Sequence, residues 1–313
     1  MSLTAWALTT GEAGMRTQAR GLARAVADVV LEKTVPPPFH WPWRTPPSSE
    51  RLHPPWPDIL ITCGRRSVSR ALTIRKASGG RTLTVHVQDP RSRAADFDLV
   101  VAMAHDRIPP GGHVIKVATA LHDLTPDNLA EAGRSWAGRL APLGRPLLGV
   151  VIGGDLKGRP FTLTDARRLL AGLQAIRAAT GAGLAITPSR RTPPAILALL
   201  AEAFAGDPGV FLWTLEGDNP YRGILALCDR LVVTSDSVSM VSEALATPHP
   251  VEIFDLGFPR HAAFVQRLVD QGLARRFDGA ADPPARQGGP VNATDEAAAR
   301  VRGLLQARTG VVG

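Results

Sequence analysis

The run Leu147–Ile152 reads Leu-Leu-Gly-Val-Val-Ile and is followed at once by Gly153-Gly154. A strand with one face in water alternates apolar and polar residues, so an unalternating run marks a strand covered on both faces. That cover comes from crossover helices joining parallel strands, which makes an α/β architecture the expectation. The rest of the chain keeps the same rhythm. Apolar runs at 3–8, 58–62, 82–87, 99–102 and 113–116 read as strands, with helices over 67–77 and over 16–30, where Leu22, Val26, Val29 and Val30 fall at helical spacing. A second series begins near Pro146, with strands at 147–152, 183–187, 210–213, 231–234 and 251–254 and helices at 164–179, 194–204 and 240–245. Segment 294–307 starts polar and carries an apolar stripe of Ala298, Val301, Leu304 and Leu305, as a terminal helix does. With 313 residues, each series has the length for its own core. The expected fold is two Rossmann-like, doubly wound parallel-sheet domains facing a cleft, over residues 1–141 and 142–292, with 293–313 a terminal helix and tail.

Composition removes several function classes. With 44% hydrophobic and 20% charged residues the chain is not disordered, and no apolar run approaches the ~18–20 residues that cross a bilayer. Residues 1–8 lack the basic and long apolar regions of a signal peptide, so the expectation is a cytoplasmic protein. Two cysteines, Cys63 and Cys228, are too few for a disulfide framework or a structural zinc site, and no metal motif is visible. The net charge of +8 favours anionic partners. Nucleic acid is not expected among them, because there is no block of like charge and only one tyrosine for stacking. Residues 35–57 hold nine prolines with Trp41, Trp43 and Trp56, which rules out an interior strand or a long helix there. These tryptophans, beside Arg44 and Arg51, suit a membrane interface or a lipid-linked acceptor, and equally a rigid loop packed on its own domain.

In open parallel sheets ligands bind beyond the carboxyl ends of the strands, so the residues after each strand carry the search. The first strand is followed by Gly11, Gly14 and, one helical turn in, Gln18, a turn in which the backbone can come close to a ligand. The full dinucleotide fingerprint is absent, and a strand–helix turn without ligand is the competing reading. Later strands lead into Cys63-Gly64-Arg65-Arg66, Gln88-Asp89-Pro90-Arg91 and His105-Asp106. The last pair joins a titratable ring to a carboxylate, the minimum for proton transfer, although a loop hydrogen bond would use the same residues.

The second half is richer. Gly153 and Gly154, with Lys157 and Arg159 behind them, suit phosphate oxygens, as does Arg190 after the next strand. Asn219 in Gly217-Asp218-Asn219-Pro220 can read a planar base edge. Thr234-Ser235-Asp236-Ser237-Val238-Ser239-Met240-Val241-Ser242-Glu243 runs from strand through a hydroxyl-rich turn into a helix. Its hydroxyls exceed what one helix cap needs, its amides suit a diphosphate, and Glu243 can accept from sugar hydroxyls. A capped helix with a solvated carboxylate is the plain alternative.

The segment 234–243 resembles the signature of the plant elongated-mitochondria (mitochondrial fission factor) family and its bacterial relatives. So do Gly217-Asp218-Asn219-Pro220, Gln88-Asp89-Pro90-Arg91, Phe97-Asp98-Leu99-Val100 with His105-Asp106, and the turn from Gly11 to Gln18, so that the likeness spans residues 6–256. That family is similar in fold to the GT-B glycosyltransferases, and Val241-Ser242-Glu243 looks like the donor-sugar helix of the bacterial peptidoglycan N-acetylglucosaminyl transferase. The long glycine-rich loop of that transferase is reduced here to Gly11 and Gly14.

The resemblance implies a GT-B-like protein that binds a nucleotide-diphosphate sugar as substrate, with no separate cofactor. The expected reaction is metal-independent glycosyl transfer, with epimerisation possible on the same fold. Nucleotide and sugar fall to Gly153, Gly154, Lys157, Arg159, Arg190, Asn219, Ser235, Asp236, Ser237, Ser239, Met240 and Glu243, the acceptor side to Gly11, Gly14, Gln18 and Gln88, and proton transfer to His105 or Asp106. The rival expectation is a non-catalytic adaptor of the fission family, acting at the inner face of a membrane or on protein partners.

Overall fold

A computed structural model describes residues 2–36, 52–156, 158–281 and 288–310. Lys157, Trp41, Trp43, Arg44 and Arg51 lie outside the described residues. Two compact units result: Met1–Asp123 with Asn292–Gly313, and Leu124–Val291.

The first unit holds β1 (Thr4–Thr9), α1 (Ala13–Val26), β2 (Val29–Thr34), β3 (Ile59–Cys63), α2 (Val68–Ala77), β4 (Leu83–Val87), β5 (Leu99–Met103) and β6 (Val114–Val117). All its strands pair in parallel, in the order β2-β1-β3-β4-β5-β6. β3, β4 and β5 are buried at every position, as crossover cover on both faces requires. β2 replaces the end of the helix expected over 16–30. Ala27 is already extended at φ −138°, and Asp28 ties the chain to β1 by accepting from the Leu3 N–H at 2.8 Å, so Val29 and Val30 begin a strand. Their spacing from Leu22 fits a helix equally well, which is why periodicity misassigned them.

The second unit opens with α3 (Pro126–Leu140), which the sequence did not announce, and continues through β7 (Leu147–Ile152), α4 (Leu163–Thr180), β8 (Gly183–Pro188), α5 (Pro194–Ala203), β9 (Val210–Leu212), α6 (Tyr221–Leu227), β10 (Arg230–Thr234), α7 (Val238–Leu245), β11 (Val251–Phe254), α8 (Pro259–Asp270) and the short β12 (Arg275–Arg276). Its sheet is also fully parallel, in the order β12-β11-β10-β7-β8-β9. Leu148, Val150 and Ile152 join Leu169 and Leu173 of α4 and Ile196 and Leu200 of α5 in one core.

The unit boundaries differ from the expected 141/142 and 292/293. α3 belongs to the second unit, because Gly133 and Gly223 let it close on α6: a Cβ at Gly223 would stand 2.4 Å from the Trp136 ring. The terminal helix α9 (Ala293–Thr309) returns to the first unit, where Ala293, Ala297, Ala298 and Val301 share the core with Ala19, Leu22 and Ala23 of α1.

Strand order reverses between β1 and β3 in the first sheet and between β7 and β10 in the second. Helices leave to opposite faces at such a point and open a crevice beyond the strand ends, the usual ligand position in this architecture.

Candidate functional site at the strand ends of the second unit

The turns after β7 and β10 meet at the reversal, and a buried carboxylate joins them. The Asp236 side chain has no exposed surface. It accepts from the Gly154 N–H at 2.9 Å, the Thr234 hydroxyl at 2.6 Å and the Arg191 guanidinium at 2.8 Å. The Gly153 N–H donates to Thr234 Oγ1 at 2.8 Å and the Asp155 N–H to the Arg191 carbonyl at 3.2 Å. All three amides of the Gly153-Gly154-Asp155 turn are thus engaged inside the protein. The expectation that this turn cradles phosphate is corrected: its glycines serve close approach. A Cβ on Gly153 would lie 2.0 Å from the Asp236 carboxylate, and one on Gly154 would lie 1.9 Å from the Arg191 carbonyl. Asp236 is likewise a clasp between loops and not a ligand-facing group.

α7 begins at the same place. Ser237 is its N-cap, accepting from the Met240 N–H at 3.4 Å, and the Val238 and Ser239 amides of the first turn have no intrahelical acceptor, as at any helix start. Ser237, Ser239 and Met240 are half-buried. Ser239 and Glu243 are four apart and share one helix face, roughly 6 Å between Cβ atoms. Glu243 is 9% exposed and accepts from the Tyr221 hydroxyl at 2.5 Å.

The remaining candidates divide. Ser235 is buried, donating to Asp255 at 3.2 Å and accepting from the Leu256 N–H at 2.9 Å, so it braces the loop after β11. Burial raises the Asp255 carboxyl, but the Gly257 N–H and the Arg276 guanidinium outweigh it and hold the group below its ordinary range. His261 joins the same brace, its Nδ1 2.9 Å from the Ser235 carbonyl, and burial lowers its pKa. Arg159 donates to the Leu256 carbonyl at 3.0 Å and pairs with Asp165 at 3.4 Å, a structural use. Arg190 is exposed. Asn219 accepts from the Tyr221 N–H at 2.9 Å, setting the start of α6. Arg191 and Tyr221, the two partners that organise the site, stood in the sequence only as members of polar runs. Adjacency to a charged strand end was their one visible signal.

In the first unit, Gly11 turns at φ +100° after β1. Gln18 is buried and donates to the Gly14 carbonyl at 3.1 Å, a bond within α1. Gln88 follows β4 in the left-handed region at φ +81°, with its N–H on the Val101 carbonyl at 2.8 Å, a conformation that costs a non-glycine residue about 1 kcal/mol or more. Asp106 closes a tight turn. Its carboxylate accepts from the Met103 N–H at 2.8 Å, and its carbonyl accepts from Lys116 Nζ at 2.7 Å. His105 beside it is half-buried. Among the described residues, no group of three or more His, Cys, Asp or Glu is placed to hold a metal ion, and no helix is long and apolar enough to cross a membrane.

Two parallel six-stranded sheets with helices on their faces, and a hydroxyl-bearing helix start where the strand order reverses, define the class of GT-B-like proteins with two Rossmann-like domains. Solved structures agree on the fold. UDP-GlcNAc 2-epimerase from Methanocaldococcus jannaschii matches with a TM-score of 0.64 at 11% identity, covering 97% of this chain and 99% of that one. UDP-GlcNAc 2-epimerase from Neisseria meningitidis bound to UDP-GlcNAc matches at 0.58 and 11%, covering 98% and 100%. MurG from Acinetobacter baumannii matches at 0.52 and 13%, covering 96% and 99%.

The chain belongs to the mitochondrial fission ELM1 family, which it matches over residues 13–305. Mitochondrial fission protein ELM1 of Arabidopsis thaliana is 32% identical over 277 residues, 80% of this chain and 65% of that protein, so the match spans just under two thirds of the plant relative. Uncharacterized protein RP120 of Rickettsia prowazekii is 25% identical over 256 residues, 71% of this chain and 72% of that one.

Proposed function

We propose that the second unit binds a nucleoside diphosphate as the leaving half of a nucleotide sugar, and that the reaction is glycosyl transfer. The observation that carries the reading is the face of α7. Ser237 and Ser239 stand at the helix start where strand order reverses, and Glu243 follows one turn beyond Ser239. A helix start attracts a diphosphate through its amides and dipole, and a carboxylate roughly 6 Å further along that face is at the reach of ribose hydroxyls. A protein of the same fold bound to UDP-GlcNAc supports this choice of ligand. In transfer, the bond from the sugar to the diphosphate oxygen breaks, the acceptor oxygen takes its place at the sugar carbon, and the acceptor proton passes to a base. Charge left on the diphosphate falls to the α7 amides, Ser237, Ser239 and Arg190.

Calorimetry on the full chain tests the reading. UDP should bind, and Glu243→Ala or Ser237→Ala should weaken it about ten- to hundredfold, the share of a hydrogen bond to a charged group. No heat with UDP, UDP-GlcNAc or any other common nucleoside diphosphate removes it. If His105 or Asp106 is the base, His105→Ala or Asp106→Asn leaves UDP affinity intact and lowers turnover ~10²–10⁴-fold.

The second reading, a non-catalytic adaptor acting at a membrane or on protein partners, is favoured by the Asp106 carboxylate already being engaged by the Met103 amide. Nucleotide binding without consumption of a donor, offered any acceptor from a cell lysate, would select the adaptor.

A further inference from the structure

His261 lies in the first turn of α8, and its ring meets the turn between β10 and α7. Nδ1 stands 2.9 Å from the Ser235 carbonyl oxygen, which can only accept, so Nδ1 carries the hydrogen of the neutral ring and Nε2 is left with a lone pair. The residue is 7% exposed, yet Nε2 has no hydrogen-bond partner among the described residues and is not sealed in the interior. Ser235 stands two positions before Ser237, the N-cap of α7, so an almost buried ring with an unpaired nitrogen adjoins that helix start. The charges acting on the ring are Asp236 from the same turn, Arg191 from the turn after β8 and Arg260 on its own helix. Asp255, which shares Ser235 with the ring, is paired with Arg276. Burial lowers the pKa of His261 most, Arg260 and Arg191 add to the effect, and the Ser235 carbonyl and Asp236 oppose it. The ring is therefore neutral at neutral pH.

We propose that His261 is a phosphate-binding residue of the α7 site, which takes up a proton from solvent when a diphosphate binds and then donates from Nε2 to a phosphate oxygen. The proposal rests on the nucleoside-diphosphate reading of α7 and adds a residue and a proton to it. A lone pair on Nε2 and a phosphate oxygen are both acceptors and repel each other, whereas a protonated Nε2 makes a charge-assisted N–H···O bond. An anion at the helix start also favours the charged ring, reversing the balance that keeps it neutral in the free protein. One proton passes from water or buffer to Nε2, the imidazolium keeps its Nδ1–H on the Ser235 carbonyl, and no covalent bond to the ligand forms. Binding and protonation are thus linked, and affinity rises as pH falls. A ring serving only to brace the turn would hold the same proton with and without ligand.

The experiment is calorimetry of the full chain with UDP-GlcNAc, repeated in buffers of different ionisation enthalpy. Both phosphates of this probe are diesters, so the ligand itself neither gains nor loses a proton near neutral pH. In the wild type the heat should report proton uptake approaching a whole proton, and affinity should fall by up to ~10-fold per pH unit between about pH 6 and about pH 8. His261→Asn keeps an amide that can donate to the Ser235 carbonyl and lacks Nε2; it should bind about tenfold or more weakly, with no proton uptake and a flat pH profile. A readout on the wild type does not depend on how that variant folds: in protein labelled with ¹⁵N-histidine, the Nε2 resonance of His261 should move from the range of a lone-pair nitrogen to that of an N–H nitrogen as UDP-GlcNAc is added. Binding without proton uptake, uptake retained in His261→Asn, or an Nε2 resonance unmoved by bound ligand overturns the role of His261 and leaves the nucleotide site standing. A wild type that binds neither UDP-GlcNAc nor any other common nucleotide sugar overturns both.

Discussion

His86 sits mid-strand in β4 with no exposed surface, its ring 4.9 Å from that of Phe97 and its Nδ1 2.8 Å from Thr62 Oγ1. Burial pushes its pKa down to about 3, against the opposing pull of Asp89. The folded chain therefore keeps this ring neutral where the unfolded chain, titrating near 6.5, has taken up a proton. Between those values the unfolded state holds more protons, so stability falls as pH falls, by about 2 kcal/mol from pH 7 to pH 5 for this one group. His122, His249 and His261 are also lowered by burial and act in the same direction. Glu252 acts in the opposite one, its carboxyl raised by burial despite Arg230 and Arg275. Comparing urea midpoints of wild type and His86→Phe at both pH values isolates the single ring. The variant should lose about 2 kcal/mol less on acidification, and parallel losses would refute the assignment.

At the scale of elements, the Asp236 clasp is the joint that brings three strand-end turns together, after β7, β8 and β10. Its three donors come from Gly154, Arg191 and Thr234, so removing it leaves a buried amide and hydroxyl without their acceptor and a guanidinium without its partner. Arg191 is 42% exposed and regains water, which moderates the loss. Asp236→Ala should cost about 3 kcal/mol in chemical denaturation, near the low end for breaking a buried charged contact. It should also weaken UDP binding indirectly, since the α7 start follows Asp236 in the chain. A loss under ~1 kcal/mol, the range of an exposed ion pair, would mean that the turns hold without the clasp.

For the whole molecule, the unit boundaries carry a prediction about fragments. Residues 124–291 contain a complete sheet, their own core and α3, whose Trp136 covers Gly223 of α6. That fragment should unfold cooperatively on its own, whereas one starting at 142 lacks α3 and exposes the α6 face. Residues 1–123 lack α9, whose Ala297, Ala298 and Val301 lie fully buried in the first unit's core, and they should bind hydrophobic dye and show no cooperative melt until 292–313 is supplied. Circular dichroism melts of the three fragments check this. Cooperative melting of 1–123 alone would contradict it.

Parallel sheets and two series of crossover units were legible in the chain because burial leaves a local record. The apolar run of β7 states that both faces are covered, and the hydroxyl run 234–243 announced a helix start. The family likeness added the GT-B-like fold, which the structural neighbours bear out. Other features left no such record. Val29 and Val30 fit a helix by spacing and became β2 because Asp28 anchors the chain to Leu3. Gly153-Gly154 looked like a phosphate cradle, yet its amides go to Thr234 and Asp236, 81 and 82 positions away. Tyr221 meets Glu243 across 22 positions, and α9 packs beside α1 at the far end of the chain. Periodicity reports whether a side chain is covered, because that depends on its own chemistry and its near neighbours. Where a hydrogen bond ends depends on which strands become adjacent, and that exists only once β7 and β10 lie side by side.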